Sequence, residues 1–502
     1  MTVLLAIDQG SSSSRCVIYD GELRVLAEAS RPLASSFPAD GWVEHDPHEI
    51  LASVVGAVTD AIGDAAVSWD DVTAIGLTAQ TETFVVWDRA TGEPVYPAVS
   101  WRDGRAAELC DRLRAAGHED EVRARTGLPL ESAFSAPKLR WVLDHVPGTQ
   151  AAAEAGELMF GDVNCWLIWR LSGRASHIAE PSMAARTMLF DTSGLVWDAK
   201  MLNLFGIPPR MLPGIVPTVA RLVTTDPEVL GGRALISASI GDQQSALFGQ
   251  RCWSDGMAKL TLGTGAFFWC HAGSAPPKVV PPGVVASCAW QVGRQFAYAF
   301  EGFVPNAGGV VTWLRELGAL GASDWPMIRD GAVQRQAGAE PGAGLWCVPA
   351  LFGLGTPHWG SPARADITGL DAASTGADLA EAALLGLAHQ VADAIEAVGE
   401  GLAGPLGVIR VDGGLSRNDS FLQAIADLTG VTLERTGVTE ATALGAAALA
   451  GLGAGVWSLD SLGRVPFDTG HQVRPAVTDA VRGTARSQWK NVLAEALSRW
   501  RV

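Results

Sequence analysis

Two acidic residues directly follow predicted strands, a position where carboxylates often take part in chemistry. Asp8 closes the first apolar run of the chain, and Asp242 closes a later one. A carboxylate so placed can hold Mg²⁺ through water, or it can accept a proton as a general base. Gln243 beside Asp242 could orient a substrate. The alternative for Asp242 is the N-cap of the next helix, a common place for aspartate that requires no function.

A run of glycine and serine follows Asp8 in the stretch DQGSSSSR, residues 8–15. Gly10 allows a tight turn without a Cβ penalty, and the N–H groups and hydroxyls after it can converge on an anion. The stretch GTGAF, residues 263–267, has the same character in the second half of the chain. Two such turns facing one cleft predict a shared phosphate site, whereas either turn alone is an ordinary polar hairpin turn.

Two further stretches permit both a functional and a structural interpretation. The glycines of VDGG, residues 411–414, would let a flat ligand approach the backbone, and a plain glycine-rich turn explains them equally well. The stretch WVEHDPHE, residues 42–49, contains histidines and acids that could hold a metal ion. A helix start explains it better, with Asp46 as N-cap, Pro47 at the first helical position and Glu49 in a capping box.

The elements that position these residues are predicted from apolar periodicity. In the first half they are strands at 3–8, 15–19, 23–28, 72–80 and 83–88 and a helix at 46–63. A similar order begins again near residue 256, with a strand, turn and strand over 256–273, strands at 296–303 and 407–414, and a helix from Asp419. The sequence therefore predicts two related α/β domains with a ligand cleft between them.

Bulk composition narrows the class of protein. The 502 residues are too many for one core, so two domains are expected. The net charge of −17 argues against a nucleic-acid or anionic-membrane surface. Seven scattered cysteines indicate a reducing, cytoplasmic location, and no signal peptide is predicted. The Ala/Gly-rich stretch 441–459 predicts a tightly packed helix and a glycine-rich turn, not a membrane span.

The common P-loop, Rossmann and nucleophile-elbow motifs are absent, and the motifs present resemble the FGGY family of carbohydrate kinases, the glycerol kinases most closely. The matching stretches run from residue 6 to about 452: AIDQGSSSSR, GWVEHDP, AIGLTAQTET, GDQQSALFGQ, LTLGTGAF, FGLGTPHW, RVDGGLSRND and ATALGAAALAGL. The resemblance implies an α/β fold of two ribonuclease-H-like domains of the actin/hexokinase/Hsp70 type. We expect residues 1–250 to carry the sugar or polyol side and the phosphate loop, and residues 251–502 the nucleotide side.

The resemblance also implies a role for each candidate residue. Asp242 is similar to the general base that accepts the proton of the substrate's primary hydroxyl, and Asp8 and Asp242 are similar to the acids near Mg²⁺. The implied substrate-pocket positions are Thr81, Glu82, Trp101, Asp103, Ala133, Asp242, Gln243 and Phe267. The positions implied for ATP are Ser11, Ser12, Ser13, Arg15, Thr264, Gly308, Gly414 and Asn418.

The sequence departs from the glycerol kinases in the sugar pocket. Those kinases have Q-R-E-T where this chain has Q-T-E-T, so Thr81 replaces an arginine that holds glycerol, and Ala133 replaces a tyrosine. A pocket that loses two polar contacts should bind glycerol less well. The sequence therefore predicts a larger or different substrate, such as a tetritol, a pentitol or a ketose, with Asp103 as a replacement contact.

The prediction is thus an ATP- and Mg²⁺-dependent kinase that phosphorylates a primary hydroxyl of a small polyol or sugar. The alternatives are a glycerol kinase proper, a non-catalytic nucleotide-binding sensor of the same fold, and a phosphatase or hydrolase that uses the same acids. No nucleic-acid or membrane partner is expected. A homodimer and a homotetramer both stay open.

Overall fold

The computed structural model describes residues 2–321, 325–340, 343–359 and 363–500. The first half of the chain contains the following strands: β1 Val3–Gln9, β2 Ser13–Asp20, β3 Val25–Pro32, β4 Glu44–His45, β5 Val72–Ala79, β6 Phe84–Asp88, β7 Ala98–Val99, β8 Leu158–Asp162, β9 Ile178–Ala179, β10 Phe190–Asp191, β11 Val196–Trp197, β12 Gly214–Ile215, β13 Val219–Thr224 and β14 Leu235–Gly241. Its helices are α1 Pro47–Ala65, α2 Ala107–Ala115, α3 Glu119–Thr126, α4 Ser135–His145, α5 Thr149–Ala155, α6 Val163–Leu171, α7 Pro181–Ala184, α8 Ala199–Phe205, α9 Pro227–Leu230 and α10 Asp242–Gly249.

The second half continues the same alternation of strands and helices. Its strands are β15 Ala258–Leu262, β16 Ala266–Gly273, β17 Val285–Val292, β18 Gln295–Val304, β19 Trp346–Val348, β20 Asp366–Thr368, β21 Ile409–Asp412, β22 Leu433–Arg435 and β23 His471–Val473. Its helices are α11 Gly308–Glu316, α12 Ala332–Gly338, α13 Gly376–Glu400, α14 Asp419–Thr429, α15 Ala441–Gly453, α16 Leu459–Leu462 and α17 Asp479–Trp500.

The two halves share one strand topology. In the first half β1 pairs antiparallel with β2 and β2 with β3, while β1 pairs parallel with β5 and β5 with β14. In the second half β15, β16 and β18 pair antiparallel in the same way, and β21 and β22 follow in parallel. A single bridge between β13 and β17 joins the two sheets edge to edge. The predicted repetition of the element order is therefore confirmed.

Most predicted elements lie within two residues of their observed bounds. The helix predicted over 46–63 is α1, and Asp46 caps it by accepting a hydrogen bond from the N–H of His48 at 2.8 Å. The Ala/Gly-rich stretch forms the buried helix α15, followed by a turn at Gly455 in the left-handed region. Within the described residues, none of the helices is both long and apolar enough to cross a bilayer.

Three features differ from the prediction. The third strand begins at Val25, because the Asp20 carboxylate accepts hydrogen bonds from the N–H groups of Glu22 and Arg24 and holds residues 20–24 in a turn. Strand β17 was not predicted, since its first six residues are all buried and show no alternation. Strand β6 belongs to a separate four-stranded sheet with β4, β7 and β8; β6, β7 and β8 come from the chain between β5 and β14, and β4 comes from the segment before α1.

Helices α10 and α15 cross at backbone contact and connect the two halves of the chain. A Cβ on Gly445 of α15 would lie 1.9 Å from the carbonyl oxygen of Ser245, and one on Gly249 of α10 would lie 2.1 Å from that of Ala441. Helix α15 also packs on β5, where a Cβ on Gly76 would lie 2.0 Å from the Ala446 carbonyl oxygen. Only glycine fits at these positions, so α10, which begins at Asp242, is held against α15 by this crossing.

Gly445→Ala should lower the free energy of unfolding by about 2–3 kcal/mol, because the added methyl group collides with backbone that cannot rotate away. Equilibrium unfolding in urea measures the change. Gly63→Ala is the matched control: Gly63 lies inside α1, and no atom stands within 4 Å of the added Cβ. That substitution should stabilise the protein by about 0.5–1 kcal/mol through helix propensity. Equal effects of the two substitutions would contradict the close crossing.

Candidate active site

Asp8 and Asp242 lie at the same edge of the first-half sheet. Asp8 is the penultimate residue of β1 and Asp242 is the first residue of α10, directly after β14, with β5 between the two strands. Thr78 of β5 is in register with both Asp8 and Ile240. The N-cap of α10 is Gly241. The interpretation of Asp242 as a helix N-cap is therefore wrong.

Both carboxylates have a raised pKa, although their side chains stay partly accessible from the cleft. Removal from bulk water raises the pKa of Asp242 to about 7, and the charge of Glu82 adds to this shift. Removal from water also raises the pKa of Asp8 to about 7, assisted by the charges of Asp242 and Glu440. A carboxyl group that titrates near neutral pH suits a general base.

The serine turn after β1 is tied to the segment that follows β5. The Gly10 N–H donates to the Ser13 carbonyl at 2.9 Å and closes the turn. The Ser11 hydroxyl donates to Gln80 at 3.1 Å and accepts from the Trp101 indole N–H at 2.9 Å. The turn and the segment 80–83 therefore form one hydrogen-bonded unit.

The other residues predicted in this turn lie on its rim. Ser12 is exposed and Ser13 is half-buried. Arg15 pairs with Asp8 across the β1–β2 register and forms an ion pair with Glu440, the residue before α15. The guanidinium of Arg15 thus stands beside Asp8, at the point where α15 begins.

The second predicted turn lies against the start of α11. The Gly308 N–H donates to the Gly263 carbonyl at 2.8 Å, and the Ala307 N–H donates to the Thr264 carbonyl at 2.7 Å. A Cβ on Gly308 would lie 2.9 Å from the Gly263 oxygen. Thr264 and Gly308, which are 44 positions apart in the chain, are thus brought together at a helix N-terminus, a place that favours anions.

The glycines after β21 lie over the end of β15. Gly413 has φ +89°, and a Cβ on it would lie 2.6 Å from the Leu262 carbonyl oxygen. Gly414 faces open space, with no atom within 4 Å of an added Cβ. The Asn418 side chain caps α14 by accepting from the Phe421 N–H at 3.0 Å and donates to the Pro326 carbonyl at 2.7 Å. Both glycines are exposed, and Gly414 is the one at which an added Cβ would meet open space.

The segment between β5 and β6 holds Glu82 rigidly. Glu82 has φ +62°, a left-handed backbone conformation that is costly for any residue other than glycine. The Thr81 hydroxyl donates to one oxygen of the Glu82 carboxylate at 2.6 Å, and the Nε of Arg186 donates to the other at 2.5 Å. Backbone strain of this kind is characteristic of functional sites.

The remaining predicted pocket residues have well-defined partners. Both oxygens of Asp103 accept hydrogen bonds from within the protein, from the Val43 N–H at 2.6 Å and from Arg105. The Ala133 carbonyl accepts from the buried Lys138 ammonium at 2.6 Å. Phe267 on β16 packs against Phe303 with ring centroids 4.8 Å apart. The Asp103 carboxylate is therefore already engaged in holding its own loop, and its predicted contact with substrate stays a prediction.

Three charged residues that the motifs did not identify also contribute to the site. Arg186 contacts Glu82 and Glu301, and the Lys259 ammonium donates to the Gln243 side chain at 2.7 Å and to the Thr261 hydroxyl at 3.0 Å. Lys259 and Glu301 interrupt apolar strands, and a lone charge in such a run indicates a buried ion with a partner. Arg186 stands on a short 3₁₀ turn, Ala185–Thr187, and has no comparable sequence signal.

Two family models match most of the chain. Residues 3–249 match the N-terminal domain of the FGGY family of carbohydrate kinases, and residues 258–454 match its C-terminal domain. A glycerol kinase of Acidovorax ebreus (strain TPSY) is 43% identical, with 99% of each chain covered. One of Citrifermentans bemidjiense is 45% identical over 92% of this chain and 94% of its own length.

Solved structures of similar fold include a glycerol kinase of Plasmodium falciparum with ADP, at TM-score 0.90 and 30% identity, with 99% of this chain and 98% of that chain covered. A xylulose kinase of Lactobacillus acidophilus has TM-score 0.85 at 20% identity, with 99% of each chain covered, and shares the fold. The predicted fold class, α/β with two domains of the actin/hexokinase type, is confirmed.

The family match and these relatives define an ATP-dependent kinase that phosphorylates an alcohol. The chain belongs to the FGGY family of carbohydrate kinases. The expectation of a substrate other than glycerol finds no support among the relatives above that are at least 30% identical, which are named glycerol kinase.

The raised pKa of Asp242 predicts how stability depends on pH. Its folded-state pKa of about 7 exceeds the ordinary value of 3.8, so the fold binds the proton more tightly than the unfolded chain does. That stabilisation is complete below about pH 4 and is lost as the pH rises through 7. In metal-free buffer, Asp242→Asn should therefore gain roughly 1–3 kcal/mol of stability over the unmodified chain between pH 4 and pH 8.

Urea unfolding at several pH values measures this difference. The control is Asp64→Asn, which changes an exposed carboxylate on α1 and should leave the pH dependence as in the unmodified chain. Parallel stability curves for Asp242→Asn and the unmodified chain from pH 4 to pH 8 would contradict the raised pKa.

Proposed function

We propose that this chain is an ATP-dependent glycerol kinase, which transfers the γ-phosphate of ATP to a primary hydroxyl of glycerol. The observation that carries the proposal is the action of the Glu82 charge on the Asp242 carboxyl group, whose pKa it helps to raise. The neighbour Gln243 accepts a hydrogen bond from Lys259 of a second-half strand, and Gln80 of the Glu82 segment accepts one from the serine turn. The names of relatives that are 43–45% identical over more than nine tenths of this chain support glycerol as the acceptor.

In this proposal Asp242 accepts the proton of the attacking hydroxyl. Phosphoryl transfer depends mainly on in-line placement and charge stabilisation, so a positioned base and fixed hydrogen-bond donors meet most of its requirements. Glu82 accepts a hydrogen bond from a second hydroxyl of glycerol, and Gln243, held by Lys259, orients the first. Trp101 and Phe267 provide apolar walls.

The donor set at the sheet edge fits Mg²⁺. Within the described part of the chain there is no group of three or more His, Cys, Asp or Glu side chains that could hold a metal ion. Two carboxylates, Asp8 and Asp242, repel each other there, and Mg²⁺ commonly takes one or two carboxylates with phosphate oxygens and water. When bound, Mg²⁺ would neutralise charge on the phosphates.

The proposed ATP site lies between the two turns. Ser11, Ser12, Ser13 and Arg15 face the transferred phosphate in this scheme, and Thr264 approaches it from the second half. The positive end of α11, where Gly308 lies, would contribute favourable charge, and Gly414 with Asn418 would border the nucleoside. We further propose a division into domains at residues 1–250 and 251–502, whose closure would exclude water from the phosphate.

The two departures in the pocket do not require a larger substrate. Thr81 uses its hydroxyl to hold Glu82, and the guanidinium of Arg186 lies on the other side of the same carboxylate. A guanidinium group therefore remains beside Glu82 although position 81 is not arginine. This arrangement is compatible with glycerol.

A substrate panel tests the proposal. With ADP formation as readout, glycerol should exceed erythritol, ribitol and xylulose in kcat/KM by about tenfold or more, because each added carbon must displace packed protein or leave hydroxyls unpaired. A tetritol, pentitol or ketose that exceeds glycerol would instead restore the larger-substrate hypothesis drawn from Thr81 and Ala133.

Asp242→Asn should reduce kcat by about 10²–10⁴-fold with a smaller change in KM for ATP, since the general base is lost while Asp8 and the two turns stay in place beside Mg²⁺ and the phosphates. Steady-state kinetics with the preferred acceptor measure both constants. Asp64→Asn on the exposed face of α1 serves as control and should behave as the unmodified chain. An unchanged kcat in Asp242→Asn would contradict the assignment of Asp242 as the general base.

A further inference from the structure

A buried ion triad connects the substrate segment to the second half of the chain. Arg186 Nε lies 2.5 Å from Glu82 Oε1, and Arg186 Nη1 lies 2.9 Å from Glu301 Oε2. The three side chains are 8%, 7% and 11% exposed. Glu82 follows β5 and Glu301 lies within β18, so one guanidinium holds carboxylates from both halves.

The guanidinium of Arg186 is fixed on its other sides by aromatic rings. Its central carbon lies 5.3 Å from the Phe134 ring centroid and 5.6 Å from the Trp269 ring centroid. Phe134 directly follows Ala133, and Trp269 lies on β16 two positions after Phe267. Residues of the predicted substrate pocket are therefore neighbours in sequence of both rings that hold Arg186.

The contact with Glu301 is an ion pair without hydrogen-bond alignment. Neither Arg186 Nη1 nor Glu301 Oε2 has a hydrogen-bond partner among the described residues, although both atoms are buried. Buried donors and acceptors are normally paired. A contact that is close but unaligned can shift when the second half moves, and such a shift would act on the carboxylate at the opposite end of the guanidinium.

Apart from its contact with Arg186, Glu82 is held in place by its backbone and by two neighbouring hydroxyls. Its backbone is held in the left-handed region, the Ser135 hydroxyl donates to its carbonyl at 3.0 Å, and the Thr81 hydroxyl donates to its second carboxylate oxygen. The direction in which Glu82 presents its carboxylate therefore depends on the position of Arg186.

We propose that Arg186 is a positioning residue that aims the Glu82 carboxylate at one particular hydroxyl of the polyol, and that Glu301 links this aim to the placement of the second half. The proposal rests on the proposed function, because it assumes a polyol acceptor beside Glu82. It assigns substrate selectivity to a residue that need not touch the reacting atoms.

A substrate–variant cycle tests the proposal. The variants are Arg186→Gln and Arg186→Lys. The acceptors are glycerol and two diols, propane-1,2-diol and propane-1,3-diol, each of which lacks one hydroxyl of glycerol. Arg186→Gln should lower kcat/KM for glycerol about 100-fold, mainly through KM for glycerol, and should leave KM for ATP within about twofold. For the diol that lacks the hydroxyl bound by Glu82, the loss should be less than about threefold. Arg186→Lys should lie between Arg186→Gln and the unmodified chain.

A charge-balanced variant covers the case in which Arg186→Gln fails to fold. The double variant Arg186→Gln with Glu301→Gln keeps one net negative charge in the triad, as in the unmodified chain. It should fold and still lose discrimination between glycerol and that diol. Recovery of the full discrimination in the double variant would overturn the proposal, because charge balance alone would then account for the triad.

Arg486→Gln provides a control from a second arginine that joins two carboxylates. Arg486 pairs with the buried Asp393 and the half-buried Glu396 between α13 and α17, and neither partner is among the residues assigned to the site. Its loss should lower thermal stability and leave the ratio of glycerol to diol unchanged. Equal losses for glycerol and both diols in Arg186→Gln would overturn the positioning role.

Failure of the proposed function has a different outcome. If the unmodified chain does not phosphorylate glycerol, the glycerol proposal fails, and the same cycle is run with the polyol that it does accept and its deoxy analogues. If Arg186→Gln lowers kcat/KM for that polyol much more than for one of its deoxy analogues, the role of Arg186 is still supported. An equal loss of kcat/KM for the polyol and all its deoxy analogues would still overturn it.

Discussion

The cleft contains more carboxylates than cations, and the site depends on how these carboxylates are stabilised. The described part of the cleft brings together four carboxylates and two buried cations: Asp8, Glu82, Asp242 and Glu301 with Arg186 and Lys259. Carboxylates removed from water are stable only when they are paired, protonated or bound to a metal ion. Arg186 satisfies two of them, and the two left at the sheet edge have pKa values near 7. The same excess favours proton acceptance and Mg²⁺ binding.

The fold supplies the rigidity that this charge distribution requires. Asp8 and Asp242 stand at the ends of strands that flank β5, and α10 cannot move without breaking the glycine contacts with α15. The second half contributes Lys259 and Glu301 from strands in the middle of its own sheet. Groups that belong to the two repeats therefore meet where the phosphoryl group would be transferred, which is the preorganisation that electrostatic catalysis needs.

Local patterns made much of this predictable from the sequence. Asp8, Asp242 and both turns were found because strands, glycines and acids occur together within a few residues. Arg186 was not, because its partner Glu82 is 104 residues away and no local pattern reveals the pairing. The separate four-stranded sheet was not predicted for the same reason, since its pairings join distant segments. The substrate prediction treated Thr81 and Ala133 in isolation, and it could not include a guanidinium supplied by another element.

The central claim is that this cleft directs the phosphate of ATP to a polyol hydroxyl and not to water. Its most direct test is the stoichiometry of products, measured by phosphorus NMR with the full chain, Mg²⁺, ATP and glycerol. One glycerol phosphate should form for each ADP, with negligible inorganic phosphate. Inorganic phosphate formed in step with ADP, without glycerol phosphate, would contradict the claim.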